Sequence, residues 1–185
     1  MRYCLLGIIA RSDQTEWAMS SLRKRKNWGQ GDFMKTVILA FCLISPEAIE
    51  LQYGLPSGLL RSMQYVESRG GTGEHRVIDV VNDTQKKYLR KISQHLKQPI
   101  SLFTGSSAGA MGVMQIIPST FWVYKQDGNG DGHYDPLCDA DSYATAAYYV
   151  ARLIAVHGSL EKALNKYSGG ASGYYEKVMA QMAFK

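Results

Sequence analysis

The sequence places a carboxylate at the end of an amphipathic segment, where it could act as a proton donor. Apolar residues at Leu59, Leu60, Met63 and Val66 share one face of a predicted helix, and Glu67 follows directly. Because the C-terminal end of a helix disfavours negative charge, we expect the pKa of Glu67 to be raised, which suits a general acid. A lone Glu in a last turn is more often simply solvated, so its assignment depends on the rest of the chain.

A second chemical signal is a loop rich in oxygen-bearing side chains. Asp127, Asn129 and Asp131 stand at alternate positions, followed by Gly132 and His133. This order matches the first half of an EF-hand calcium loop, in which position six is Gly and position seven gives its carbonyl oxygen. The pattern predicts a calcium site in this loop.

The second half of the loop departs from the EF-hand. Position twelve, normally a bidentate Glu, is Cys138, which is no ligand for Ca²⁺. A closing carboxylate must therefore come from Asp135, Asp139 or Asp141. Residues 127–141 contain five Asp, which would repel one another without a cation. The alternative is a turn-rich loop without metal.

Periodicity predicts mainly helices around these two signals. Ser57 is the expected N-cap of the helix that carries Glu67, and Gly70 ends that helix. The β-branched run Val77–Val81 predicts one brief strand. Further helices are expected at about 85–96, 118–124, 142–157, 160–167 and 171–182.

Composition indicates one folded domain and gives no support for nucleic-acid binding. The chain has 185 residues, of which 45% are hydrophobic, and a formal charge of +5. Residues 1–45 hold seven basic and three acidic side chains, so 46–185 keep 14 and 13. The basic run Arg23–Lys26 therefore says nothing about the folded domain. With the Asp-rich loop neutralised, the domain surface is basic, which suits a polyanionic polymer.

The N-terminal region has the form of a secretory leader. Met34 and Lys35 precede the apolar segment 36–44, which is too short to span a bilayer. We expect an upstream extension at 1–33, a signal peptide at 34–48 and the folded domain at 49–185, in a periplasmic or secreted monomer. Leu39–Cys42 is similar to a lipoprotein cleavage box, which leaves peripheral or lipid-anchored membrane association open. A buried helix or a membrane anchor at 36–44 is the alternative.

Three segments in order resemble the motifs of lytic transglycosylases in the lysozyme-like superfamily. They are Glu67–Arg69, Gly109–Thr120 and Lys166–Gly169, similar to the E-S, G-x-x-Q-x-x-P-S and A-Y-N signatures. The Asp-rich loop narrows the resemblance to the membrane-bound lytic murein transglycosylase B group. The implied fold is mainly α, a lysozyme-like (goose-type/transglycosylase) helical domain with an EF-hand-like loop. Ser168 stands where the family usually has Asn.

The resemblance implies a function and a set of site residues. The chain would cleave the MurNAc–GlcNAc bond of peptidoglycan glycan strands, with Glu67 as acid and then base and no cofactor for the chemistry. Tyr167 would face Glu67, and Ser68 would orient it. The implied substrate-binding residues are Ser68, Ser106, Ser107, Gly112, Met114, Gln115 and Tyr167. The implied ligands of a structural Ca²⁺ are Asp127, Asn129, Asp131, His133 and Asp141.

Two alternatives remain open from the sequence. A muramidase on the same scaffold would need a second carboxylate to activate water, and Glu74, Asp79 or Asp83 could supply it. A calcium-stabilised module that binds glycans without cleaving them would need no acid at all.

Overall fold

Helices dominate the folded part of the chain. A computed structural model describes residues 45–69 and 73–184. These residues form eight α-helices, a 3-10 turn and one two-stranded sheet. In chain order they are α1 (Pro46–Tyr53), α2 (Leu59–Ser68), β1 (His75–Arg76), α3 (Val77–Val80), α4 (Asp83–Leu96), the 3-10 turn (Ile100–Leu102), β2 (Thr104–Gly105), α5 (Pro118–Tyr124), α6 (Asp139–His157), α7 (Leu160–Tyr167) and α8 (Tyr174–Ala183). The predicted mainly helical fold is confirmed.

Helix α6 is the centre of the domain. Residues 140–147 are all buried, so the first half of this helix is enclosed on every side. The small side chains of Ala144, Ala146 and Ala147 let neighbouring helices approach it closely. Helices α1, α5 and α7 pack against α6, while α2 packs against α8.

The start of α2 is fixed by a residue of the preceding helix. The predicted cap, Ser57, is wrong: the N-cap is Gly58, which makes no side-chain capping bond. Instead, the carboxylate of Glu50 accepts hydrogen bonds from the N–H groups of Gly58 at 2.6 Å and Leu60 at 2.7 Å. The Glu50 side chain is only 1% exposed, so these donors meet a buried anion rather than water. Glu50 thereby couples α1 to the helix that carries Glu67.

The predicted strand Val77–Val81 is wrong, since most of it is helix α3. Val77 and Val81 stand four residues apart and are both buried, which is helical rather than strand spacing. Their side chains fill the space beside Gly109, where an added Cβ would lie 2.1 Å from Cγ1 of Val81. The small residue at 109 therefore accommodates α3.

A small sheet supports the segment that follows β2. His75 pairs with Gly105 and Arg76 with Thr104, antiparallel. Isolated bridges then join Gly105 to Met111 and Met111 to Ile116. The chain between 105 and 116 is thus folded back on itself and held at both ends.

The predicted leader lies almost wholly outside the described residues. Residues 1–44, with the proposed extension and Cys42, are not among them. Residues 46–48 belong to α1, whose N-cap Ser45 accepts a hydrogen bond from the N–H of Ala48 at 3.2 Å. Within residues 45–69 and 73–184, no helix is both long and apolar enough to cross a membrane.

Candidate active site

Glu67 lies half-buried in the last turn of α2. Burial raises the pKa of its carboxyl group, and the hydroxyl of Tyr174 partly offsets that rise. None of the salt bridges among the described residues includes Glu67. The pKa is therefore raised in the expected direction, but desolvation is the main cause rather than the helix end.

Two tyrosines adjoin this carboxyl group. The charge of Glu67 adds to the burial that raises the pKa of Tyr167 and Tyr174. The two rings are stacked, with centroids 6.4 Å apart. The hydroxyl of Tyr174 is buried, and its interaction with Glu67 lowers the pKa of Glu67 and raises that of Tyr174. Glu67 therefore has a hydroxyl group beside it that stabilises its ionised form.

The turn Gly112–Gln115 is held in an uncommon conformation. Gln115 has a φ of 50°, which is rare outside glycine, and its N–H donates to the Gly112 carbonyl at 3.1 Å. Its side-chain amide donates to the same carbonyl at 2.9 Å. Gly112 itself has a φ of 66°, and a Cβ there would lie 2.1 Å from the Pro136 carbonyl oxygen. Such strain at a turn points to a functional segment.

Side chains from α2 and α7 hold this turn near Glu67. The Ser68 hydroxyl donates to the Val113 carbonyl at 2.9 Å and lies 3.2 Å from the Gln64 carbonyl. The Tyr167 hydroxyl donates to the Met114 carbonyl at 2.7 Å. The structure thus brings together Glu67, Ser68, Met114 and Tyr167. The predicted role of Ser68 in orienting Glu67 stays a prediction.

The serines of the preceding loop are less enclosed. Ser106 is half-buried, and its hydroxyl accepts a hydrogen bond from the N–H of Ala110 at 3.2 Å. Ser107 is exposed. Ser106 therefore shapes the loop that leads into the turn, and the proposed contact of either serine with a glycan stays a prediction.

The Asp-rich loop is ordered by its own side chains. Asp127 accepts from the N–H groups of Gly130 at 2.6 Å and Gly132 at 2.8 Å. Asp131 accepts from the N–H of His133 at 2.7 Å. Within residues 45–69 and 73–184, no group of three or more Asp, Glu, His or Cys side chains has a geometry that could hold a metal ion. The carboxylates of Asp127 and Asp131 thus accept hydrogen bonds from donors of the loop itself.

Asp141 nevertheless leaves a negative charge inside the domain. It is fully buried and accepts from the N–H groups of Gly128 and Asp135, each at 2.8 Å. Burial raises its pKa to about 6, and the charges of Asp131 and Asp127 add to the rise. It forms no salt bridge with any described cation. Oxygen donors around an uncompensated buried charge fit Ca²⁺ in chemistry, although not in their present spacing.

A cavity of about 370 Å³ lies on a different face of α2. It is lined by Arg61, Ser62, Gln64, Tyr65, Arg69, Gln181 and Phe184. None of these residues was predicted to bind substrate. Arg61 is already paired with Glu47, so one of the two guanidinium groups in the lining is neutralised.

The sequence did not reveal two residues that shape this site. Tyr174 was only one of many aromatic residues, and nothing in its spacing marked it as a neighbour of Glu67. Ser142 is 1% exposed in α6, and its hydroxyl accepts a hydrogen bond from the N–H of Met114 at 3.2 Å. Both contacts span more than 25 residues of chain, beyond the reach of local patterns.

Comparison with known families decides what this arrangement is. The model of the transglycosylase SLT domain matches residues 45–157, which is more than half of the chain. The chain belongs to this family. The matched range of the SLT domain contains Glu67, the turn Gly112–Gln115 and the Asp-rich loop, while α7 and α8 lie beyond it.

One relative in sequence is named as a lytic murein transglycosylase. This SLT domain is 31% identical over 113 aligned positions to membrane-bound lytic murein transglycosylase B of Escherichia coli K12. The alignment covers 52% of this chain but only 31% of that protein. The chain thus matches less than a third of the length of this relative.

Solved structures support the same fold. SltB3 from Pseudomonas aeruginosa, in complex with NAG-anhNAM-pentapeptide, is 25% identical with a TM-score of 0.53, covering 64% of this chain and 35% of that one. The Escherichia coli lytic transglycosylase Slt35, in complex with calcium, is 22% identical with a TM-score of 0.56, covering 82% and 57%. The SLT domain described here therefore has the predicted lysozyme-like transglycosylase fold.

Proposed function

We propose that this SLT domain is a lytic transglycosylase that cleaves the β-1,4 bond between MurNAc and GlcNAc in peptidoglycan. The observation that carries the proposal is the half-buried carboxyl group of Glu67, which forms no salt bridge with any described residue. Burial raises its pKa, and the hydroxyl of Tyr174 offsets only part of that rise. A group that keeps its proton in this way suits a general acid.

The reaction needs a single carboxyl group acting twice. Protonated Glu67 gives its proton to the glycosidic oxygen, and the bond from C1 of MurNAc to that oxygen breaks. The resulting carboxylate then takes the proton of the MurNAc C6 hydroxyl while that oxygen bonds to C1. The product ends in 1,6-anhydroMurNAc, no water is consumed, and Glu67 regains its proton.

The candidates for a second carboxylate do not favour a muramidase. Asp79 is exposed and forms a salt bridge with Arg76 at 2.7 Å. Asp83 is also exposed, and its carboxylate lies 3.7 Å from the ammonium group of Lys86. Glu74 is exposed as well. A hydrolase that activates water would need one such group close to the bond being cleaved.

Product analysis tests the proposed function. Purified murein is incubated with the protein, and the released muropeptides are identified by mass spectrometry. We expect 1,6-anhydroMurNAc ends, and no release by the Glu67→Gln variant. Reducing MurNAc ends would show a muramidase instead. Binding of murein without any release by the parent protein would show a non-catalytic glycan-binding module.

We also propose that the Asp-rich loop binds a structural Ca²⁺. The ligands would be side-chain oxygens of Asp127, Asn129, Asp131 and Asp141 and the carbonyl of His133. When bound, the ion neutralises the buried charge of Asp141 and takes no part in the chemistry of Glu67. The calcium complex of Slt35 supports the proposal by analogy of fold only.

Calorimetry and thermal unfolding test the calcium site. Added Ca²⁺ should bind and raise the melting temperature, and EDTA should lower it. The Asp131→Asn variant should lose this response, whereas the control Asp83→Asn, which changes an exposed residue of α4, should keep it. No heat of binding and a melting temperature insensitive to EDTA would rule the site out.

The cellular location follows from the proposed substrate. Peptidoglycan lies outside the cytoplasmic membrane, so we propose a periplasmic or secreted monomer that is exported by the leader predicted at 34–48. N-terminal sequencing of the exported protein tests this. A mature chain that begins at Met1 would refute the leader, and a lipid on Cys42 would show a membrane-anchored form.

A further inference from the structure

Both backbone polar groups of Met114 are held by side chains of other helices. Its N–H donates to the hydroxyl of Ser142 in α6 at 3.2 Å, and its carbonyl accepts from Tyr167 in α7 at 2.7 Å. Met114 and Ser142 are both buried, so water cannot replace the Ser142 bond without a change of structure. The residue before Gln115 is thereby fixed in place.

The same Ser142 hydroxyl also lies against the start of the turn. A Cβ added to Gly112 would be 3.0 Å from Ser142 Oγ and 2.1 Å from the carbonyl oxygen of Pro136. Ser142 in α6 and Pro136 in the Asp-rich loop therefore prevent the turn from moving in their direction. The Ser142 hydroxyl therefore lies near both ends of the segment from Gly112 to Met114.

The turn needs such support because its conformation is strained. Gln115 has a φ of 50°, which a residue with a side chain adopts only when its surroundings impose it. The residue directly before Gln115 is held by a distant side chain, because the N–H of Met114 donates a hydrogen bond to the hydroxyl of Ser142. Loss of that acceptor would leave a buried N–H unsatisfied next to the strained residue.

We propose that Ser142 is a positioning residue that holds the turn Gly112–Gln115 in the conformation that binds the glycan. This inference rests on the proposed function, because it takes that turn to be the sugar-binding segment. Ser142 acts through Met114 and touches no reacting atom. The hydroxyl of Ser142 accepts its hydrogen bond from the turn rather than from a residue of α6.

A matched pair of substitutions separates this role from general stability. Thr145 lies one turn further along α6, is also fully buried, and its hydroxyl accepts from the N–H of Gln126 at 3.1 Å. Ser142→Ala and Thr145→Val each remove one buried hydroxyl acceptor from the same helix. Only the first removes the acceptor of Met114.

The experiment measures binding of a GlcNAc–MurNAc tetrasaccharide in the Glu67→Gln background, where the ligand is not cleaved. Ser142→Ala should weaken its Kd about fivefold, the effect of one lost hydrogen bond, and Thr145→Val should leave Kd unchanged. Hydrogen exchange should become faster at the Met114 amide in the first variant and at the Gln126 amide in the second. With murein as substrate and Glu67 intact, Ser142→Ala should raise KM more than it lowers kcat.

The outcomes distinguish the two levels of the proposal. Failure of the parent protein to bind the tetrasaccharide and to release muropeptides would overturn the proposed function. Binding by the parent with an unchanged Kd in Ser142→Ala would overturn only the role of Ser142. An equal loss of affinity in both variants would show a general loss of stability and would also overturn that role.

Discussion

The Tyr167 hydroxyl donates a 2.7 Å hydrogen bond to the carbonyl of Met114, so α7 fixes the turn beside Glu67 directly. The two residues lie 53 positions apart in the chain. Tyr167 is half-buried, and its oxygen is at once a donor to the turn and a neighbour of the Glu67 charge. One side chain therefore links the candidate acid to the segment proposed to bind sugar.

Removing this hydroxyl should cost stability and affinity together. We expect Tyr167→Phe to lower the free energy of unfolding by about 1–3 kcal/mol, because the Met114 carbonyl loses a buried partner. Urea unfolding measures the change, and tetrasaccharide binding should weaken in parallel. The control is Tyr149→Phe, whose ring lies 5.6 Å from that of Tyr167 and whose loss should be smaller. Equal losses in both variants would contradict the assignment.

Tyr174 should tune the pH dependence of cleavage. Its hydroxyl lowers the pKa of Glu67, against the larger rise caused by burial. In Tyr174→Phe the pKa of Glu67 should therefore rise further, so that Glu67 keeps its proton to higher pH. The alkaline limb of the pH profile of kcat/KM should shift to higher pH. Tyr175→Phe, at the next position of α8, is the control, and a limb that stays in place in Tyr174→Phe would refute the coupling.

Ionisation of Glu67 should also affect stability. Because burial raises its pKa in the folded state, the folded protein favours the protonated form. The contribution of Glu67 is therefore present below its ordinary pKa of 4.5 and is lost as pH rises through the raised value. Glu67→Gln should be more stable than the parent at pH 7, and the advantage should shrink at pH 4. Thermal unfolding at both values, with Glu161→Gln as control, tests this; an advantage independent of pH would count against it.

Gly112 should tolerate no side chain, unlike a glycine of the Asp-rich loop. Gly112→Ala combines a positive φ with a clash against the Pro136 carbonyl, so we expect a loss above about 2 kcal/mol. Gly130 has a similar φ of 72°, but nothing lies within 4 Å of an added Cβ. Gly130→Ala should therefore cost only about 1 kcal/mol. Urea unfolding compares the two variants, and similar losses would mean that the contact with Pro136 yields.

The Glu50 carboxylate should be a major stabilising group of the domain. Glu50→Gln keeps the shape but removes the charge that accepts from Gly58 and Leu60, so we expect a loss of about 2–4 kcal/mol. Glu47, on the same helix, is exposed and paired with Arg61. Glu47→Gln should cost less than about 1 kcal/mol. A loss in Glu50→Gln no larger than in Glu47→Gln, measured by urea unfolding, would show that Glu50 does not support α2.

Local sequence patterns were sufficient for most helices. The predicted helices at 118–124 and 160–167 match α5 and α7, because their apolar spacing is helical and Pro118 suits the first position of a helix. Val77–Val81 failed because a short β-branched run fits a strand and a helical turn equally well, and packing against Gly109 decided for the helix.

The contacts that complete the site were beyond local patterns. Ser57 was the obvious cap for α2, but a carboxylate eight residues before Gly58 reaches its N–H instead. The raised pKa of Glu67 was predicted from its helix position, whereas burial is its largest cause in the structure. Which aromatic residues surround Glu67 depended on the packing of α8 against α2, which periodicity does not specify.

The tyrosines beside Glu67 are part of a longer row that offers an optical signal. Ring centroids are 4.4 Å apart between Tyr124 and Tyr149, 5.6 Å between Tyr149 and Tyr167, and 6.4 Å between Tyr167 and Tyr174. Aromatic rings this close couple their electronic transitions, so the row should contribute to the near-ultraviolet circular dichroism of the domain. Events at Glu67, the candidate acid, could then be followed in solution without any added label.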